Sequence, residues 1–166
     1  MGGEGAVTFI YHLVKNTDAN KIIETGVAYG WSSLAILLAL NQKKQSMLIS
    51  NDMPYINMGN DDYVGCTVPE DLSANWDLQR LPDVKGIPLA IKKFNNVIDF
   101  CHYDSDKSYT GRMWASPILW GALKKGGFFV SDDINDNLAF KHFCESVHEA
   151  PVIIEHLGKY VGVIVK

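Results

Sequence analysis

The sequence contains no apolar run long enough for a membrane helix. The longest, Trp31 to Leu40, has ten residues and includes two serines, whereas a bilayer span needs roughly 20. A transmembrane helix is therefore excluded, and nothing at the N-terminus reads as a secretory signal. Cysteine is scarce as well. Cys66, Cys101 and Cys144 are odd in number and widely spaced, which excludes a disulfide framework or a zinc cluster and points to reduced thiols in a cytoplasmic setting. Positive charge is not in surplus: 15 Lys and Arg stand against 19 Asp and Glu, so there is no footprint for nucleic acid. Compositional bias is missing too. With 47% apolar and 20% charged residues, collagen-like, disordered and disulfide-scaffold classes all fall away. What remains is the composition of a cytoplasmic globular protein, and 166 residues favour one domain over 1–166 with a substantial buried core.

Along the chain, Met1 to Gly5 is too glycine-rich to hold a fixed shape. Val7, Ile10, Tyr11 and Val14 repeat at helical spacing within Ala6 to Lys15. Lys21 to Thr25 is a β-branched run that predicts a strand, ending at Gly26. Gly30 opens a second apolar segment, Trp31 to Asn41, long enough for a buried helix. Met47 to Ser50 reads as the second strand, closed by Asn51-Asp52 and stopped by Pro54. Residues 53–96 are broken by Pro54, Gly59, Gly65, Pro69 and Pro82. They predict a long loop, a helix near Glu70 to Asn75, a short strand near Trp76 to Arg80 and a helix near Ile87 to Phe94. Beyond them the pattern sharpens. Val97 to Tyr103 is a strand, and Gly111 to Leu123 a helix that Pro117 must start or kink. Gly127 to Ser131 is a strand ending at Asp132-Asp133, and Asn137 to His148 a helix. Pro151 to His156 and Tyr160 to Val165 pair across a turn at Leu157-Gly158-Lys159. Alternating strands and helices predict an α/β fold: a doubly wound, mostly parallel sheet with a C-terminal antiparallel hairpin. A small sheet with exposed edges also suggests a homodimer.

In such sheets the ligand lies beyond the carboxyl ends of the strands, where the strand order reverses. Those ends are Glu24 to Gly30, Asp52, Asp104 to Lys107 and Asp132-Asp133, and every one carries an acid. Gly26 lets backbone approach a ligand closely, and helix amides near Ser32 suit an anionic group. The spacing is not G-x-G-x-x-G, which disfavours an NAD pyrophosphate cradle. Asp52, closing the second strand, stands where a carboxylate accepts hydrogen bonds from ribose hydroxyls. Each feature has a plainer reading as well: the glycines as turn sterics, Asp132 and Asp133 as caps of the next helix, Lys107 as a solvated surface lysine. His102 reads as a core histidine rather than a ligand, and the other histidines show no mutual metal spacing. Trp114 and Trp120 read as packing residues, with acceptor stacking a second reading for Trp114. Tyr55, Tyr63 and Trp76 fall where an acceptor pocket could form.

Taken in order, Glu24-x-Gly26-x-x-x-Gly30-x-Ser32, then Asp52, then Ile98-Asp99-Phe100 running to Asp104, then Leu123 to Phe128 leading into Asp132-Asp133, resemble the class I S-adenosylmethionine-dependent methyltransferases. The resemblance spans roughly residues 20 to 166 and is best at 21–52 and 97–140. Within that group, Asp104 to Tyr109 is similar to a segment of the catechol O-methyltransferases, and the twin aspartates to macrocin-type sugar O-methyltransferases. It implies a Rossmann-like fold and O-methylation of a small hydroxylated acceptor, with no membrane or nucleic-acid partner. It also implies roles one residue at a time: Glu24 and Gly26 at the methionine part of S-adenosylmethionine, Gly30 among the cofactor-binding residues, Ser32 at its carboxylate, Asp52 at its ribose, and Asp83 as candidate for adenine. Asp104, Asp132 and Asp133 would hold Mg2+, and Lys107 would be the general base. The chemistry is consistent, since magnesium prefers oxygen ligands, and three converging carboxylates need a cation between them or a proton. Lys107, with an ordinary pKa of about 10.4, would have to be depressed towards neutrality to act as base.

Two other readings stand beside this one. Asp104-Ser105-Asp106 after a strand also fits a haloacid-dehalogenase-type phosphohydrolase, although that family places its Asp-x-Asp early in the chain and the Glu24 to Gly30 loop is then unexplained. A non-catalytic relative that keeps only the cofactor fold is the third.

Overall fold

The computed structural model describes residues 6–54, 59 and 61–166; the glycine-rich Met1 to Gly5 lies outside them. Seven strands form one sheet: β1 (Lys21–Thr25), β2 (Met47–Asn51), β3 (Trp76–Gln79), β4 (Ile98–Tyr103), β5 (Leu123–Ser131), β6 (Val152–His156) and β7 (Lys159–Val165). Their spatial order is β3-β2-β1-β4-β5-β7-β6. The first five are parallel, and β7 pairs antiparallel with both β5 and β6. The predicted Rossmann-like α/β sheet with its antiparallel hairpin is the fold observed.

Alternate side chains of each strand point to opposite faces, and in the inner strands both sets are apolar. Ile22, Leu48, Phe100 and Val130 face one layer, where α1 (Val7–Lys15) and α2 (Trp31–Leu40) bury Ile10, Val14, Ile36 and Leu40. Ile23, Ile49, Cys101 and Phe129 face the other, against α3 (Asp83–Lys93), α4 (Tyr109–Ala122) and α5 (Ala139–Val147). All six residues of β4 are buried, as a central parallel strand requires. Among the described residues no helix is long and apolar enough to cross a membrane.

The element boundaries depart from expectation for local reasons. The helix expected near Ile87 begins at Asp83, because the extended Pro82 caps it and its carbonyl accepts the amides of Lys85 and Gly86; Pro88 lies inside it. The next helix begins at Tyr109 rather than Gly111, with the Ser108 hydroxyl accepting the Gly111 amide. It runs through Pro117, which leaves the Met113 carbonyl without its usual partner. Residues 70–75 form a 3₁₀ segment. β5 starts at Leu123, but its register against β4 shifts between Ile98 and Phe100, so only Phe128 onwards continues the ladder, close to the predicted start. The hairpin turn has two residues, Leu157 and Gly158, both at positive φ, the geometry that suits strand twist.

One carboxylate ties down the amino edge of the sheet. Asp99 accepts the amides of Asn20 and Lys21 at 2.8 Å each and pairs with Lys124 at 2.9 Å. Burial alone would raise its pKa, but Lys124 and the two amides outweigh that and lower it. Asp99→Ala should therefore cost on the order of 3 kcal/mol of stability in urea unfolding at neutral pH. A depressed carboxylate stabilises above its unfolded pKa of about 3.9, so the gap between wild type and variant should close as pH falls from there through the folded value.

Candidate active site at the carboxyl rim of the sheet

Thr25 is in register with both Asn51 and Tyr103, Asn51 with Gln79, and Tyr103 with Ser131. The strands therefore end level. The next residue of each strand then continues the ladder: Gly26 donates its amide to Asn51, Asp52 to Gln79, Asp104 to Thr25 and Asp132 to Tyr103, at 2.8–3.0 Å. Positions 26, 52, 104 and 132 thus share one rim, and all four line a cleft of about 780 Å³. The strand order reverses between β1, which leads to α2, and β4, which leads to α4, so the cleft opens at the switch point.

Gly26 has φ +80°, and a Cβ there would stand 2.4 Å from the Asp104 carbonyl oxygen. Only glycine fits this close crossing of the two loops. Gly30, at φ +94°, is the N-cap of α2, and no side chain caps that end. Its first amides are therefore left for an anion. The loop is braced from below the cleft: Gly65 donates to the Ala28 carbonyl and Thr67 to Tyr29. Trp76 supports the brace, with its indole on Ser50 at 2.9 Å and its ring against Gly65. It is a scaffold residue and does not line the cleft. Tyr63 and Trp114 are exposed away from the cleft, Trp120 packs edge-on against Phe143, and Tyr55 lies outside the described residues.

Glu24 does not face the cleft. It is fully buried, and its carboxylate accepts the hydroxyls of Ser32, Ser33 and Ser50 at 2.5–2.7 Å. The expected direct contact is replaced by an indirect one, because Glu24 reaches the cleft only by holding Ser32. His102 Nδ1 stands 3.6 Å from Glu24, an ion pair too long for a hydrogen bond, and neither ring nitrogen has a partner among the described residues. Burial works to lower the His102 pKa, but Glu24, Asp132 and Asp104 outweigh it and raise it. Burial likewise works to raise the pKa of Glu24, and His102 with the hydroxyls outweighs it and lowers it.

Asp52 is occupied on both oxygens. Oδ2 accepts the amides of Val27 and Ala28 at 2.8 and 3.0 Å, and Oδ1 pairs with Arg80 at 2.5 Å. Arg80 also holds Asp61 at 2.6 Å. Asp83 lines the cleft, accepts the Ser105 hydroxyl at 2.5 Å, and has its pKa raised by burial.

At the other end of the cleft two of the three acids, Asp104 and Asp133, meet a lysine. Lys107 binds Asp104 Oδ1 directly and lies 3.0 Å from Asp133 Oδ2, and Lys159 lies 3.4 Å from Asp133 Oδ1. Burial works to lower the Lys107 pKa, but the two carboxylates outweigh it and raise it, so in this arrangement it carries its proton. The base role expected of it needs the opposite shift. Burial raises the pKa of Asp104 despite Lys107 and His102, whereas Lys107 and Lys159 lower that of Asp133. Beneath them the buried Arg112 donates to Ser131 Oγ and to the carbonyls of Asp132 and Asp133 at 2.9–3.1 Å, fixing the twin aspartates from behind. Asp106 also lines the cleft, and its Oδ1 accepts the Ser108 amide.

A divalent ion fits this arrangement poorly. Asp132 Oδ1 is buried and unpartnered, which invites a cation. Among the described residues, however, no three ligating side chains are grouped to hold one. An ion about 4 Å from the Lys107 ammonium would also meet about 8 kcal/mol of repulsion at an effective dielectric near 20, cancelling the pull of one carboxylate at that distance.

Arg80, Ser33, Ser50, Lys159 and Arg112 were not found from the sequence. Nothing in the local pattern separates them from ordinary surface or helix residues. Arg80 alone had a signal, as a basic residue ending the strand beside Asp52.

A family model described as a methyltransferase domain matches residues 23–134, well over half of the chain. No curated protein matches the sequence. Among solved structures, a TDP-rhamnose 3′-O-methyltransferase of calicheamicin biosynthesis is similar with a TM-score of 0.71 and 14% identity, over 96% of this chain and 76% of that one. An O-methyltransferase from Bacillus cereus in complex with SAH gives 0.68 and 13%, over 96% of this chain and 80% of that one. At these identities the likeness shows the fold.

Gly26→Ala should force the crossing loops apart, costing on the order of 3 kcal/mol and lowering Tm by roughly 6–12 °C in a calorimetric scan. An unchanged Tm would mean that the loops do not cross as described.

Proposed function

The chain belongs to the family of methyltransferase domains, and from that premise we propose that it methylates an oxygen of a small hydroxylated molecule with S-adenosylmethionine as donor. The observation that carries this reading is the cleft at the switch point, with a bare glycine loop and an uncapped helix end on one side and an acid–lysine cluster on the other. Such a cleft lies within the usual range of ligand sites, about 300–1,000 Å³.

The donor's carboxylate would rest on the free amides of α2 and the Ser32 hydroxyl, which Glu24 orients. Its methionine chain would cross Gly26, where no side chain intervenes. The ribose would need Arg80 to leave Asp52 Oδ1, since both oxygens of Asp52 are otherwise engaged. Asp83 would stand beside the adenine. When bound, the cofactor would supply an electrophilic methyl group on a sulfonium, to be exchanged for the proton of the acceptor's hydroxyl and leaving a neutral thioether. The acceptor's proton passes to Asp104, whose Oδ2 has no hydrogen bond among the described residues and whose pKa is raised by burial, as a base requires. Lys107 stays charged and orients the acid pair, and much of the acceleration comes from holding the oxygen in line. Magnesium, expected between Asp104, Asp132 and Asp133, enters this reading only as a competitor for the place that Lys107 fills. The phosphohydrolase alternative leaves the bare Gly26 loop unexplained, and the matched family is a methyltransferase domain.

Calorimetric titration with S-adenosylmethionine and S-adenosylhomocysteine should give micromolar dissociation constants, and no binding of either would sink the assignment. With a panel of catechol and sugar acceptors, Asp104→Asn should lower turnover by about 10²–10⁴ and leave cofactor affinity within a few-fold. The wild-type rate should rise with pH through a carboxylate pKa above the ordinary value of about 3.9, a limb that the variant should lack. Binding without transfer to any acceptor would favour the non-catalytic alternative.

A further inference from the structure

We infer that the Lys107 ammonium is the built-in cation of this site, so that the chain holds its rim acids together without a divalent metal and the methyl transfer proposed above is metal-independent. The inference rests on that reading for the reaction, and on geometry alone for the cation. Lys107 bridges Asp104 and Asp133, one acid from each of two adjacent strand ends, and Lys159 reaches Asp133 from the terminal hairpin. Two of the three carboxylates, Asp104 and Asp133, therefore meet two ammonium groups, and most of the charge that would draw a divalent ion is matched already.

The bridge is held from every side. Asn137 donates to the Lys107 carbonyl at 2.8 Å and accepts the Ala139 amide at 2.9 Å, fixing the lysine's backbone to the start of α5. Arg112 clamps the backbone of both twin aspartates and lies over the Tyr103 ring. Tyr103 in turn donates to the Asp106 carbonyl at 2.9 Å, holding the loop that carries Lys107. A metal entering here would have to evict an ammonium that is anchored at both ends. Asp132 Oδ1 and Asp104 Oδ2, the oxygens without a partner among the described residues, would be left to hold it beside that ammonium.

Mn2+ is a convenient probe, titrated into the folded protein and followed by the electron paramagnetic resonance of the free ion. The wild type should bind no tighter than millimolar, with or without S-adenosylhomocysteine. Lys107→Met, which keeps the volume and removes the charge, should bind at least tenfold tighter, and Lys107→Ala should do the same if the methionine variant does not fold. Lys107→Arg should remain as indifferent to Mn2+ as the wild type. Micromolar binding by the wild type would overturn the inference, as would a folded neutral variant that gains no affinity. Neither result depends on whether S-adenosylmethionine binds, so this test and that of the proposed function fail separately.

Discussion

Everything at the candidate site depends on the strands ending level. Four amides, those of Gly26, Asp52, Asp104 and Asp132, continue the ladder by one step past the last strand residues. Side chains that are widely separated in sequence thereby come to share a single edge. Parallel register supplies this alignment because neighbouring strands run the same way and are fixed by buried partners on both faces. A slip of one residue in β4 would turn Phe100 and Cys101 to the wrong layers and carry Asp104 off the rim. The apolar core is thus what aims the polar edge.

A rim built from acids needs partners, and the chain supplies them for all but Asp132, whose Oδ1 has none among the described residues. Glu24 is held by three serine hydroxyls and faces His102, Asp52 by two amides and Arg80, Asp83 by Ser105, and Asp104 with Asp133 by Lys107. These partners differ in what they permit. Hydroxyls and backbone amides fix a carboxylate in place and belong to the scaffold. The pairing of Arg80 with Asp52 is partly exposed and would yield to a ribose whose hydroxyls offer the same oxygens comparable hydrogen bonds. Lys107 is the intermediate case, charged and half-buried but anchored through its own backbone as well as its ammonium.

The sheet was legible in the sequence because its signals are local: a β-branched run at β1, glycine at the β1 turn, acids at the strand ends. The family resemblance read from Glu24 to Asp133 agrees with the methyltransferase model matched over 23–134. What escaped was set by partners distant in the chain. Glu24 reads as a ligand-contacting acid until Ser33 and Ser50 are seen to enclose it. Lys107 reads as a base until Asp133, on the next strand end, is seen to hold its proton. The start of α3 lies four residues before the expected Ile87, although Pro82 and Asp83 already carry the N-terminal signal of an extended cap followed by an acid in the first turn. Trp76 was grouped with acceptor residues on the strength of being aromatic in a loop-rich stretch, whereas its indole is committed to Ser50.

A crystal structure of the complex with S-adenosylhomocysteine would examine the rim most directly. The ligand should lie across Gly26, with its carboxylate on the first amides of α2 and its ribose on an Asp52 that Arg80 has released. A nucleoside bound elsewhere on the surface, or one that leaves the Arg80–Asp52 pair intact and takes its ribose contacts from other residues, would contradict the account.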